Sequence, residues 1–535
     1  MQTALCPERA RATDGESPMS VHCHGVFEWA WQAPSSVADP AADLAPVSEW
    51  DAPSGRTRRI RAFWDGGRVW RVRFSPDEVG RWRGRLAGES AGGARLTSVE
   101  IQCVPYEGSN PLYQRGPVRV APGGRHLEHA DGTPFLWLGD TAWNGVIRGD
   151  DANWRRYLEM RARQRFSVIQ FVATDWRGDS EDAFGEHACA SETPFRINPA
   201  FFQRLDRRVA MINEFGLLAA PVALWTLLKT DVGQRLSEES ATQLAAYVVA
   251  RYDAYQVCWL LGGDGNYQKI GVERWRRIGR AVFADGHDRL ATLHPCGQNW
   301  VGEEFRNEPW YDIIGYQSGH GDGADHLAWL VRGPPAKNWG RSPAKPVINL
   351  EPNYETAYGY QHGAVFDDSH VRRAAWWSLL ISPTAGLTYG HDAIWNWNFE
   401  TGPSEGHGNW HGGAVPPWHT GLDTPGIRSM TVLRGILERL DWPTLRPAPE
   451  TVINPPDEQG VTRHVAAARA ADGTFVAYVP AGGLLQCAPG TSLPEPVRIV
   501  DPRSGAAVST VAANAIIEMP DSRDWLVVAG PGWRA

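Results

Sequence analysis

Between about residue 126 and residue 445 the chain alternates short apolar runs with helix-patterned stretches, and this rhythm constrains the fold more than any other feature. The apolar runs are Phe135–Thr141, Phe166–Ala173, Leu217–Trp225, Val257–Asp264, Leu290–His294, Tyr311–Gln317, Pro346–Glu351 and Gly386–His391. Helical periodicity fills the intervals, notably Asp151–Gln164, Pro199–Phe215, Ser237–Asp253, Gly271–Ala284, Asp325–Val331 and Asp368–Leu380. The runs have strand length and little alternation, as expected of parallel strands covered on both faces. Eight such strands with intervening helices, over roughly 320 residues, give the count of a (β/α)8 barrel. A doubly wound sheet is the competing arrangement, but no G-x-G-x-x-G follows the first strand.

On either side the apolar residues recur with period two. Val21–Trp31, Arg58–Trp64, Val69–Phe74, Arg81–Leu86 and Ser98–Val104 alternate in this way, separated by turn sequences such as Asp65-Gly66-Gly67. The same rhythm returns in Val461–Arg469, Thr474–Val479, Val497–Val500, Ala515–Met519 and Trp525–Ala529. The chain therefore reads as an α/β protein, a TIM barrel flanked by N-terminal and C-terminal all-β sandwich domains. The expected division is an unstructured N-terminus at 1–19, a β-sandwich at 20–105, the barrel at 106–446 and a second sandwich at 447–535. Arginines between Arg58 and Arg85 make the first sandwich locally basic and read as a solvated sheet face.

The net charge of −8 gives no general attraction to nucleic acid or anionic lipid. No apolar run has transmembrane length, and the first residues lack the apolar segment and cleavage site of a secretion signal. These features point to a cytoplasmic protein whose substrate is small enough to be imported. The 7 cysteines are odd in number and show no C-x-x-C pair, so neither a disulfide framework nor a zinc ribbon is indicated. The 26 tryptophans are abundant. Their flat apolar faces suit both cores and the C–H faces of sugars. Nothing in the sequence specifies an oligomeric state.

In a (β/α)8 barrel the active site forms where the strands end. The residues expected at those ends are Asp140, Gln170, Trp225, Asp264, His294, Gln317, Glu351, Tyr389 and His391. This polar ring reads as a functional pocket. Two of its members carry the expected catalysis. Asp264 closes the fourth run behind Gly262 and Gly263, and Glu351 closes the seventh. Glycosidases need one carboxylic acid to protonate the leaving oxygen and one carboxylate to attack the anomeric carbon or activate water. The bland alternative for Asp264 is a helix N-cap. Glu355, just beyond Glu351, is the rival carboxylate.

Gly139-Asp140-Thr141-Ala142-Trp143, Leu261-Gly262-Gly263-Asp264, Gln317-Ser318-Gly319-His320, Glu351-Pro352-Asn353-Tyr354-Glu355 and Thr388-Tyr389-Gly390-His391 together resemble the signature blocks of the apiosidase-like glycoside hydrolases, family 140. The resemblance spans roughly residues 110 to 440 and keeps the family's order. It implies Asp264 as general acid/base and Glu351 as nucleophile. No cofactor or metal is expected. Substrate contacts are expected from Asp140, Trp143, Gln170, Trp225, His294, Gln317, His320, Tyr354, Tyr389, His391, Trp395 and Trp397, with Asn396 and Asn398 reaching sugar hydroxyls and the Trp395–Trp418 loop as a lid. The expected activity is exo-acting, retaining hydrolysis of a furanoside or short oligosaccharide, with the carboxylates about 5–5.5 Å apart. Two readings compete with it. One is a barrel that binds carbohydrate without catalysis. The other is a metal-dependent barrel hydrolase, whose usual H-x-H after the first strand is replaced here by Gly139-Asp140-Thr141.

Overall fold

The structure is a computed structural model, described over residues 19–33, 46–86, 98–177, 181–190, 195–284, 288–383, 385–404, 414–454 and 460–534. At its centre are eight parallel strands: β1 (Trp137–Thr141), β2 (Val168–Val172), β3 (Leu218–Trp225), β4 (Cys258–Gly265), β5 (Leu290–Pro295), β6 (Ile314–Gln317), β7 (Val347–Glu351) and β8 (Gly386–Tyr389). They pair in the order β5-β4-β3-β2-β1-β8-β7-β6. The seam between β5 and β6 is closed by side chains as well as backbone. Thr292 Oγ1 donates to the Ile313 carbonyl at 2.7 Å, and Asp312 accepts the Ala291 N–H at 2.9 Å. The result is a TIM barrel. Every residue of these strands is buried except Asp264.

The helices form where the periodicity placed them, each expected boundary lying within two residues of the observed one. Caps set their starts. Asp150, Asn198 and Ser237 accept backbone N–H groups ahead of Asp151–Arg163, Pro199–Glu214 and Glu238–Tyr252, and Asp367 forms a capping box with His370 ahead of Asp368–Ile381. Beyond β8 and the short helix Asp392–Asn396 runs Pro425–Leu437, a helix outside the helix-patterned stretches named above.

The N-terminal domain packs a five-stranded sheet against a three-stranded one. Its core is aromatic, with Trp50 stacked on Phe74 at 4.3 Å and Trp29 and Trp82 wholly buried. Two expected strands divide. Val21–Trp31 breaks at His24, whose φ is 62°, so that Met19–His22 and Phe27–Gln32 enter different sheets. Arg58–Trp64 divides likewise into Thr57–Arg61 and Phe63–Trp64.

The basic stretch is not simply a solvated face. Arg73 is 2% exposed and sits between the two domains. It donates to Glu28 at 3.0 Å and to Asp206 of the barrel helix Pro199–Glu214 at 3.0 Å. Arg251 joins the same Asp206 carboxylate with two contacts of 2.8 Å. A buried guanidinium needs such partners because unpaired charge is costly in a dry interface.

At the other end, a six-stranded sheet and a two-stranded ribbon form the C-terminal β module. It docks on the helix Asp368–Ile381. Arg372 forks onto Asp524 at 2.8 and 3.0 Å, and the Trp377 indole N–H donates to the His464 carbonyl at 2.9 Å. Among the described residues, no helix is long and apolar enough to cross a membrane.

Candidate active site

At the C-terminal ends of the strands lies a cavity of about 470 Å³, within the range of small-ligand sites. Asp264 and Glu351 both line it. Asp264 is delivered by an irregularity. The β4–β5 register shifts between Leu260 and Gly263 and again between Gly263 and Gly265, and Asp264 itself adopts a φ of 54°. Left-handed backbone is costly for a residue with a Cβ, and bulges recur where a side chain must be re-aimed. Gly262 and Gly263 are required by neighbouring side chains rather than by a ligand. A Cβ on Gly262 would lie 2.6 Å from the Tyr267 hydroxyl, and one on Gly263 would lie 2.6 Å from Val222.

The capping role that competed for Asp264 belongs to Asn266, which accepts the Lys269 N–H at the start of Tyr267–Ile270. Burial holds the Asp264 carboxyl up to about 8, and the nearby Glu351 charge pushes the same way against Arg177. Asp264 is therefore a protonated acid at neutral pH.

Glu351 is treated differently by its surroundings. Its Oε1 accepts from Gln317 Nε2 at 2.7 Å and pairs with His320 Nε2 at 2.9 Å. The Tyr354 N–H points at His320 Nδ1 at 3.4 Å, which leaves the ring proton on Nε2 to be donated to Glu351. Burial alone would raise the Glu351 carboxyl, but these contacts outweigh it and hold it below the usual glutamate range. Its second oxygen lies 3.4 Å from His294 Nε2, and the Tyr354 hydroxyl also acts on the carboxylate. One carboxyl is thus kept neutral and the other ionised across one cavity. Environments of this kind assign acid and base roles in a pair.

The walls are aromatic. Trp143, Trp225 and Trp395 line the cavity, with Trp143 and Trp225 at 5.3 Å and Trp176 behind them. Gln317, His320 and Tyr354 also line it, while His294 stands behind Trp143 with edge-on ring contact at 5.1 Å.

A family model described as "Apiosidase-like, catalytic domain" matches residues 121–444. The chain belongs to the apiosidase-like family. That membership makes it a glycosidase. A second model, a domain of unknown function (DUF5060), matches residues 20–86 of the N-terminal domain. No curated relative matches the chain.

Among solved structures, one glycoside hydrolase is 23% identical with a TM-score of 0.66, covering 79% of this chain and 99% of its own. A glycoside hydrolase family 5 structure from Bacteroides vulgatus is 21% identical with a TM-score of 0.67, covering 79% and 95%. A putative glycoside hydrolase from the same organism is 16% identical with a TM-score of 0.66, covering 96% and 99%. These likenesses establish the shared fold.

Several expected contacts of the apiosidase-like barrel turn out to be internal. Asp140 is wholly buried and binds Tyr157 at 2.6 Å and Arg161. Gln170 spans the barrel interior between Thr388 and the Leu350 carbonyl. Tyr389 donates to Glu355, and His391 caps the helix Asp392–Asn396. Trp397 stacks on Trp418 at 4.7 Å, away from the cavity. Asn396 is held by Ser404 and Asn398 by the Pro403 carbonyl. Each of these groups has a structural partner, and none lines the pocket. Of the supposed lid, residues 405–413 lie outside the described residues.

The rival carboxylate is occupied as well. Glu355 accepts from Thr424 at 2.6 Å and from the Gly426 N–H at 2.9 Å, tying the β7 loop to the start of Pro425–Leu437.

Other lining residues were not expected. Arg177 is 8% exposed, and among the described residues its Nε has no hydrogen-bond partner. Its guanidinium lies over Trp176, with the central carbon 4.8 Å from the ring centre. Asp392, Tyr358 and Tyr360 complete the rim with Leu227 and Leu228. Except for Asp392, which opens the helix Asp392–Asn396, these side chains stand on loops, where strand periodicity gives no signal. Among the described residues, no group of three or more His, Cys, Asp or Glu side chains is arranged to hold a metal ion.

Proposed function

We propose that this chain hydrolyses the terminal glycosidic bond of a short glycoside, with a furanose as the departing sugar, through a glycosyl–enzyme intermediate. The observation that carries the proposal is the divided ionisation of two carboxyls lining one cavity, Asp264 held neutral and Glu351 held charged. The family description, apiosidase-like, favours apiose or a related furanose as that sugar.

In the first step the second oxygen of Glu351, on the His294 side, attacks the anomeric carbon. Asp264 gives its proton to the departing oxygen. In the second, ionised Asp264 takes a proton from water as that water attacks the same carbon, and Glu351 is released. Gln317 and His320 hold the nucleophile's other oxygen throughout. Trp143, Trp225 and Trp395 offer faces for the sugar's C–H surface, and Arg177 offers its guanidinium to a polar substituent.

The test is hydrolysis of aryl furanosides, aryl pyranosides and short oligosaccharides, with the first-formed anomer read by NMR. Turnover of a furanoside with retained configuration, lost in Glu351→Ala, is the expected result. An inverted first product would overturn the covalent intermediate. Hydrolysis of none of the panel would favour a carbohydrate-binding barrel without catalysis.

A further inference from the structure

Far from the barrel pocket, two cysteines distant in sequence meet. Met19–His22 runs parallel to Ser98–Val104, with Val21 opposite Cys103 and His22 opposite Val104. The chain turns at once, through the left-handed His24, and the Cys23 N–H donates to the Val104 carbonyl at 2.8 Å. That bond pins Cys23 against the strand end that carries Cys103. The two side chains are near enough to interact directly. Cys103 is wholly buried in the aromatic core of the N-terminal domain, whereas Cys23 is partly exposed. His24 stands beside the pair, and Asp77 is the acidic group nearest in influence.

We infer that Cys23 and Cys103 are a redox-active dithiol, which a small disulfide such as oxidised glutathione converts to an internal disulfide. The arrangement gives each thiol a separate part. Solvent reaches Cys23, so it meets the oxidant first. Cys103 is sheltered and already placed against the sulfur it must attack.

In the first exchange the Cys23 thiolate attacks one sulfur of oxidised glutathione, forming a mixed disulfide and expelling one glutathione thiolate. Cys103 then gives up its proton to the expelled glutathione thiolate and attacks the Cys23 sulfur. The Cys23–glutathione bond breaks, and the second glutathione leaves as thiolate. Two protein thiols and one small disulfide become one protein disulfide and two small thiols. The interaction with Cys103 lowers the Cys23 thiol against the effect of burial, with help from His24, and so favours the attacking thiolate.

The bond would staple an edge strand. Met19–His22 is the outermost strand of its sheet, held by the one ladder to Ser98–Val104. Next to it, His22 packs on Tyr106 and Tyr113 at 4.8 and 4.9 Å, where the chain leaves for the barrel.

The experiment uses the full chain, incubated with oxidised or with reduced glutathione, alkylated under denaturing conditions and mapped by peptide mass. After oxidation, a linked Cys23–Cys103 peptide pair two hydrogens lighter than the reduced peptides is expected. An unfolding transition raised by several degrees and reversed by reduction should accompany it, because a cross-link restricts the unfolded chain. Cys23→Ser should remove both effects. Full alkylation of both cysteines after oxidation, a persistent glutathione adduct on Cys23, or linkage of either residue to Cys6 would overturn the inference.

Discussion

Asp264 is the one barrel-strand residue that the fold leaves partly open, and its raised carboxyl makes two measurable demands. Activity should fall as pH rises through about 8, when the acid loses its proton. Stability should move the same way. An unfolded aspartate ionises near 4. Between that value and about 8 the folded state therefore holds a proton that the unfolded state releases, and stability declines as pH rises across this window. Asp264→Asn removes the effect. The variant should melt a few degrees above the parent at pH 8, with little difference near pH 4, while its turnover falls about 10²–10⁴-fold on substrates with poor leaving groups. A calorimetric series over pH checks the first point, and rates on aryl glycosides of graded leaving-group acidity check the second. Arg177→Met should raise KM more than it lowers kcat, because the guanidinium is placed to bind a substituent and has no proton to give. A matching fall in kcat with unchanged KM would contradict that reading.

At the scale of elements, the sequence carried much of this account. Strands β1 to β8 were legible because burial on both faces leaves unbroken apolar runs, and the helices because their periodicity is local. Asp264 and Glu351 stood out because a charged residue at the tip of such a run needs a reason. Legibility failed where partners come from elsewhere in the chain. Asp140 and Tyr389 look like pocket residues until Arg161 and Glu355 are seen to hold them. Arg177 and Tyr360 stand on loops, which no period describes. Val21–Trp31 looks like one strand because alternation continues through a turn that sends its halves to separate sheets. Glu355 gives this scale its prediction. Glu355→Gln weakens the tie between the β7 loop and Pro425–Leu437 and should cost about 1–3 kcal/mol of stability. Folded protein should keep turning over. Loss of turnover in fully folded Glu355→Gln, as deep as in Glu351→Ala, would make it a catalytic rival after all.

Across the whole molecule, the flanking β modules are joined to the barrel by buried ion pairs rather than by apolar contact alone. Arg73 and Arg251 converge on Asp206 on one side, and Arg372 meets Asp524 on the other. Removing one partner strands the remaining charge. Asp206→Ala should therefore cost about 3–5 kcal/mol and separate the melting of the N-terminal domain from that of the barrel, as calorimetry would show. A single unshifted transition would mean that the network contributes nothing net. The central claim, that one carboxyl acts as acid and the other as nucleophile on the same sugar, has its most direct test in azide rescue. Asp264→Ala and Glu351→Ala are each given sodium azide and an aryl furanoside that the parent cleaves, and the glycosyl azides are assigned by NMR. Asp264→Ala should yield the azide of retained configuration, formed from the covalent intermediate, and Glu351→Ala the inverted azide, formed by direct attack. The opposite pairing, or rescue of neither variant, would contradict the account.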